Sequence, residues 1–155
     1  MSNTAASHSV NKTLRHELIH LVVAGFSGLV IYFYSKNLVL GASTFTLSMF
    51  LDGDHLVDYS LYLKKFKKSF SFSEFLSGSY FKEWGKFITP FHSWEVAIFG
   101  LILFLTSNSH IGFAIFLALT GHYLTDFITN DVNKKAYFLL YRAKNGFKKI
   151  AIKRE

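Results

Sequence analysis

Four stretches of this chain are apolar, and polar or charged residues bound each of them. Residues 18–34 make the first, 17 residues of nearly unbroken hydrophobic character, near the lower limit for a helix that crosses a bilayer. Residues 38–51 make the second. It carries Ser and Thr, runs into Asp52, Gly53, Asp54 and His55, and reaches spanning length only if its helix continues to about Leu63. The third begins at His92, with an apolar core over 96–106. Ser107, Asn108 and Ser109 then form an uncharged turn before the fourth, 111–128. Ala114, Ala118 and Gly121 place small residues along one side of that segment, which suits close helix contact.

The remaining segments have a different pattern. Residues 1–13 are small and polar and predict a flexible N-terminus. Over 64–90, lysines alternate with aromatics. Ser71 and Glu74 stand at capping-box spacing, and Phe72, Phe75, Leu76, Phe81, Trp84 and Phe87 recur at helical spacing. This predicts an amphipathic helix lying in the membrane interface, ended by Pro90. Residues 134–155 form a basic tail with an apolar stripe through Phe138, Leu139 and Ile150. The expected fold is therefore all-α: a polytopic membrane protein with about four transmembrane helices and an interfacial helix between the second and third. A length of 155 residues fits one domain over 1–155.

Composition supports this. Half the chain is apolar, with 18 Phe and 8 Tyr, and only 17% is charged, below the quarter or so of a soluble domain. A soluble four-helix metal bundle is disfavoured because the apolar runs lack a polar face. There is no cysteine, so disulfides and thiolate metal sites are excluded. The net charge of +7 comes from loops and tail, and no nucleic-acid motif accompanies it. It reads instead as topology and contact with anionic lipid.

The lysines set that topology. The link after the second segment holds Lys64, Lys65, Lys67, Lys68, Lys82 and Lys86, and the tail holds eight basic residues; the other two links hold one lysine between them. The positive-inside rule then puts both termini and the central link in the cytoplasm of a bacterial-type inner (plasma) membrane.

The candidate chemistry falls at the four segment ends that this topology makes cytoplasmic. His16 and His20 are four apart, as are Asp54 and Asp58, and His122 and Asp126. Asp52 and His55, and His92 and Glu95, are three apart. Either spacing puts a pair on one helix face. Five histidines and five carboxylates would thus share one layer. Taken singly, a His and an Asp one turn apart are more often a hydrogen-bonded pair than two ligands. Asp52, Asp54, His55 and Asp58 are harder to dismiss, since three acids so close repel one another without a cation. Glu95, one turn into an apolar helix, is costly there and marks function. The set predicts one or two divalent ions, Zn with Mn or Fe as alternatives. His16, His20, Asp52, Asp54, His55, His92, His122 and Asp126 are the candidate ligands, and Asp58 or Glu95 the general base. His8 and His110 lie outside the layer and take no role.

In order, these elements are His16-Glu-Leu-Ile-His20, Asp52-Gly-Asp-His55, Phe91-His-Ser-Trp-Glu95 and Gly121-His-Tyr-Leu-Thr-Asp126-Phe-Ile-Thr129. The series resembles the YdjM-like family of membrane-bound metal-dependent hydrolases and spans residues 16–129. More distantly, its helical His-x-x-x-Asp pairs are similar to those of zinc-dependent phospholipases C. Around the third element, family members often read His-Arg-Gly-x-Thr-His-Ser, whereas this chain has Ile88-Thr-Pro-Phe-His-Ser93, with one His and no Arg. The resemblance implies metal-dependent hydrolysis without naming a substrate. A phosphoester, such as a phospholipid headgroup, is the expected one, with Lys64, Lys65, Lys67 and Lys68 holding the anionic lipid or substrate. The alternatives are a non-catalytic metal-binding or metal-transport protein, and a structural subunit whose polar layer is only hydrogen-bonded. A transport path would need polar groups through the bilayer depth, and the far halves of the segments are apolar.

Overall fold

The structure, a computed structural model, describes residues 2–130 and 133–148, so Ile150 and the end of the expected basic tail lie outside the described residues. Among these all regular structure is helical: α1 (Ser2–Ser35), α2 (Leu38–Met49), a 3₁₀ turn (Leu51–Asp54), α3 (His55–Phe66), α4 (Phe72–Ser77), α5 (Phe81–Trp84), α6 (Trp94–Ser107), α7 (His110–Thr129), a second 3₁₀ turn (Lys134–Tyr137) and α8 (Leu139–Lys144). They form two compact units, one of Met1–Phe50 with Ala97–Asn130 and one of Leu51–Val96 with Asp131–Glu155.

In the first unit, α1 packs on α2 and α7. The helix begins at Ser2. No Gly or Pro interrupts residues 2–24, so nothing in that stretch breaks the hydrogen-bond ladder. Glycines let the helices approach closely. A Cβ on Gly28 would stand 2.9 Å from the Gly41 carbonyl oxygen, and one on Gly112 would stand 2.7 Å from the Phe104 nitrogen. Both contacts are with backbone, and such small-residue crossings serve where no hydrophobic effect drives helices together.

The polarity of this unit is inverted relative to a water-soluble protein. Leu18, Val22, Phe26, Leu29 and Phe33 are exposed along one face of α1, and Phe99, Ile102 and Leu105 on α6. His20, Ser27, Thr44, Ser48, His122, Thr125 and Asp126 are buried. Two helical stretches, Arg15–Ser35 and His110–Thr129, are long and apolar enough to cross a membrane; α2 and α6 are apolar but shorter.

In the second unit, Tyr59, Tyr62, Tyr80 and Trp84 form the core. The helix expected to run from 38 to 63 is broken: α2 ends at Met49, and the 3₁₀ turn Leu51–Asp54 precedes α3. Asp52, Gly53 and Asp54 fall in that turn, and all three are poor helix formers. The expected amphipathic helix over 64–90 is likewise two short helices. Gly78 (φ 62) and Gly85 (φ 66) adopt left-handed C-caps that stop them, a backbone that costs glycine nothing. The capping box forms by half. The Ser71 hydroxyl accepts the Glu74 N–H at 3.4 Å. The Glu74 carboxylate instead accepts the hydroxyls of Tyr59 and Tyr62, at 2.9 and 3.0 Å.

Candidate metal centre

Each unit carries a cluster of potential ligands. In the first, the last turns of α7 present His122 and Asp126 toward His16 and His20 of α1. The two Nε2 atoms of His16 and His20 are 3.1 Å apart. Asp126 Oδ1 lies 3.2 Å from His20 Nε2 and 3.6 Å from His16 Nε2, and Asp126 Oδ2 lies 3.4 Å from His122 Nε2.

Neighbouring groups fix two tautomers. His122 Nδ1 is 2.9 Å from the Ser48 carbonyl oxygen, which can only accept, so Nδ1 carries the hydrogen and Nε2 the lone pair. The Thr129 hydroxyl donates to the Thr125 carbonyl, so it accepts from His16 Nδ1 at 2.9 Å, and His16 Nε2 is a lone pair as well. Two imidazole lone pairs and a carboxylate therefore converge. The spacings match the edge of about 3.3 Å that four donors adopt around zinc at a bond length of about 2.0 Å. His20 Nδ1 is buried with no hydrogen-bond partner. His16, His20 and Asp126 offer ligand atoms close enough to hold a metal ion, and all but His16 of this cluster is buried.

In the second unit, the 3₁₀ turn and the start of α3 bring Asp52, Asp54 and His55 to His92. Asp54 Oδ1 accepts from His92 Nδ1 at 2.8 Å, and Asp52 Oδ1 stands 3.1 Å from His92 Nε2. Asp54, His55 and His92 could hold a metal ion. Burial lowers the His92 pKa, but the carboxylates of Asp52 and Asp54 outweigh it and raise the group to about 9. Burial, then the charge on His92, lowers that of His55, which keeps it neutral. His55 Nδ1 is buried without a hydrogen-bond partner. The two imidazoles are thus unlike, one held as a cation between carboxylates in the absence of metal and one a ready neutral ligand.

Asp54 has a second task. Its Oδ2 accepts the backbone N–H groups of Phe91 and His92, at 3.0 and 3.1 Å, so it orients His92 as much as it offers a ligand.

Neither expected base faces its cluster freely. Asp58 is fully buried and accepts the Trp84 indole N–H at 2.9 Å and the backbone N–H groups of Ile88 (2.8 Å) and Thr89 (3.2 Å). Glu95 accepts the N–H groups of Leu139 and Leu140, each at 3.0 Å. Both carboxylates build the loop and the tail, because backbone donors remote in sequence claim their oxygens. Of the lysines, Lys68 is paired with Glu83 at 2.5 Å and with the Tyr62 hydroxyl. Lys64, Lys65 and Lys67 are exposed, and Lys65 also lies over the Trp84 ring.

Arg142 is the residue that sequence reasoning passes over. It is 1% exposed, the largest fully buried side chain among the described residues. Its only sequence signal is its place on the apolar stripe of a basic tail. No protein family model matches the chain, and no curated protein or solved structure matches it.

Proposed function

We propose that this chain is an integral membrane protein that holds one or two divalent ions in its His/Asp clusters and uses them to hydrolyse a phosphoester, a phospholipid headgroup at the cytoplasmic membrane face. One observation carries the reading: His16, His20 and Asp126 bring ligand atoms within reach of one ion, with the Nε2 lone pairs of His16 and of neighbouring His122 turned to the Asp126 carboxylate, on helices whose outward faces are apolar. A cation satisfies such a group of acceptors, and apolar packing does not. The order of the His and Asp motifs, and their likeness to YdjM-like hydrolases, adds the chemistry.

In this reading α1, α2, α6 and α7 all cross the membrane, and both termini are cytoplasmic. The metal is zinc, with manganese or iron as the other candidates for a nitrogen and oxygen donor set. A divalent ion supplies Lewis acidity and a water acidified toward neutral pH. Asp52, whose side chain is 49% exposed, takes the proton in place of Asp58 and Glu95. Lys64, Lys65 and Lys67 face the anionic lipid.

A second reading has a specific observation in its favour. Asp58 and Glu95 are committed to backbone N–H groups, which suits a metal-binding membrane protein without turnover.

Metal content of the detergent-purified chain, measured by mass spectrometry beside a His122→Ala/Asp126→Ala double variant, tests the common ground. At least one equivalent of Zn, Mn or Fe, lost in the variant, is expected. A folded wild-type chain that takes up none of them sinks both readings. Hydrolysis of phospholipids or simple phosphoesters by the loaded protein, absent in His122→Ala, then separates the first from the second.

A further inference from the structure

Residues 88–92 of the second unit carry His92, and their backbone is not a relaxed one. Thr89 has φ 23, in the left-handed region that a β-branched residue avoids, and it precedes Pro90, which disfavours helical backbone there. Thr89 is also fully buried. Such a conformation persists only when its surroundings over-determine it.

The surroundings here divide the loop's polar groups by kind. Asp58 takes the N–H groups of Ile88 and Thr89, and Asp54 takes those of Phe91 and His92. Three of the carbonyls, those of Ile88, Thr89 and His92, go to one cation. Arg142 Nη1 donates to the carbonyl oxygens of Ile88 at 2.8 Å and Thr89 at 2.9 Å, and to the Thr89 hydroxyl at 2.5 Å. Its Nη2 donates to the His92 carbonyl at 2.9 Å, and the guanidinium lies over the Phe87 ring. Burying a guanidinium is a costly way to pack a loop, but the planar fork can grip several oxygens at once.

The segment bearing Arg142 is itself tied down. Glu95 receives the first N–H groups of α8, and Phe87 donates to the Phe147 carbonyl at 2.9 Å. Residues 139–147 thus clasp the loop on both sides of Arg142.

We propose that Arg142 is the positioning residue of His92: through the carbonyls of Ile88, Thr89 and His92, the C-terminal clasp sets the imidazole where the second cluster takes up its metal ion. This rests on the metal-binding reading above. It makes the basic tail a part of the site rather than only a lipid anchor.

Full-length protein in detergent is titrated with Co²⁺ and read by its visible absorption, for wild type, Arg142→Ala and His92→Ala. Arg142→Ala is expected to weaken, by about 10- to 100-fold, the same binding component that His92→Ala removes. Added methylguanidinium should restore that component in Arg142→Ala and not in His92→Ala. Unchanged affinity and spectrum in Arg142→Ala overturns the proposal while leaving the metal reading intact. A loss that methylguanidinium does not restore overturns it too, since a collapsed loop would behave so. A wild-type chain that takes up no Co²⁺ overturns the metal reading and this inference with it.

Discussion

Asp54 holds His92 twice. One oxygen accepts the imidazole Nδ1–H at 2.8 Å, and the other accepts the backbone N–H of the same residue at 3.1 Å. The ring and its peptide are thus referenced to one buried carboxylate, and His92 Nε2 is left as the atom that faces Asp52 at 3.1 Å. Such an arrangement fixes the tautomer of a metal-binding histidine and raises its basicity.

Replacing Asp54 with Ala should therefore do more than remove one candidate ligand. Three donors lose their acceptor in a buried place, and a cost of about 2–4 kcal/mol in stability is expected. The second cluster should lose about 10- to 100-fold in metal affinity. Thermal unfolding and Co²⁺ titration read the two effects separately. A variant with wild-type affinity would show that Asp54 does not orient the imidazole.

Metal uptake by the second cluster should weaken as pH falls. With the His92 pKa raised to about 9 in the absence of metal, a metal that binds Nε2 must displace a proton at neutral pH. Apparent affinity should drop by about tenfold for each pH unit below 9. The raised value also means that the proton on His92 stabilises the metal-free fold. That contribution is full below a pH of about 6.5 and is lost as pH rises through about 9. Titrations at pH 7, 8 and 9 check the slope, and a flat profile would contradict the assigned role of His92.

The glycine crossings should tolerate almost nothing. A Cβ at Gly112 would stand 2.7 Å from the Phe104 backbone nitrogen and 2.8 Å from the Gly100 oxygen. Gly112→Ala should destabilise the first unit by about 1–3 kcal/mol, the usual range for overpacking. At Gly25 a Cβ would meet nothing within 4 Å, so Gly25→Ala should be neutral or slightly stabilising. Thermal aggregation in detergent compares the pair, and equal behaviour would argue against close packing of α6 on α7.

Glu95 separates structure from chemistry. Both its oxygens accept backbone N–H groups of α8, so Glu95→Gln should leave metal content unchanged while loosening the tail. A loss of about 1–2 kcal/mol is expected, read as faster hydrogen exchange at Leu139 and Leu140. Loss of turnover with the tail still protected would restore Glu95 as the base.

Much of the candidate site is legible in the sequence where helical geometry is enough. The spacing of His16 to His20 and of His122 to Asp126 puts each pair on one face, and the side chains within each pair meet, at 3.1 and 3.4 Å. The same holds for the cap at Ser71. Legibility fails where the helices break. Asp52, Gly53 and Asp54 stop the second apolar segment, and Gly78 and Gly85 divide the aromatic stretch. Hydrophobic spacing carries across such positions even when the backbone does not.

By itself the sequence determined the all-helical character, the apolar segments and the one-turn His and Asp pairs. These depend on spacing along one helix, and the helical repeat makes a residue's face a local property. Only the tertiary structure decided what each buried charge does. Asp58 and Glu95 were drawn to N–H groups about 30 and 44 positions away, and Arg142 to carbonyls more than 50 positions back. A charge removed from water must find partners, and those can come from any part of the chain that folding brings within reach.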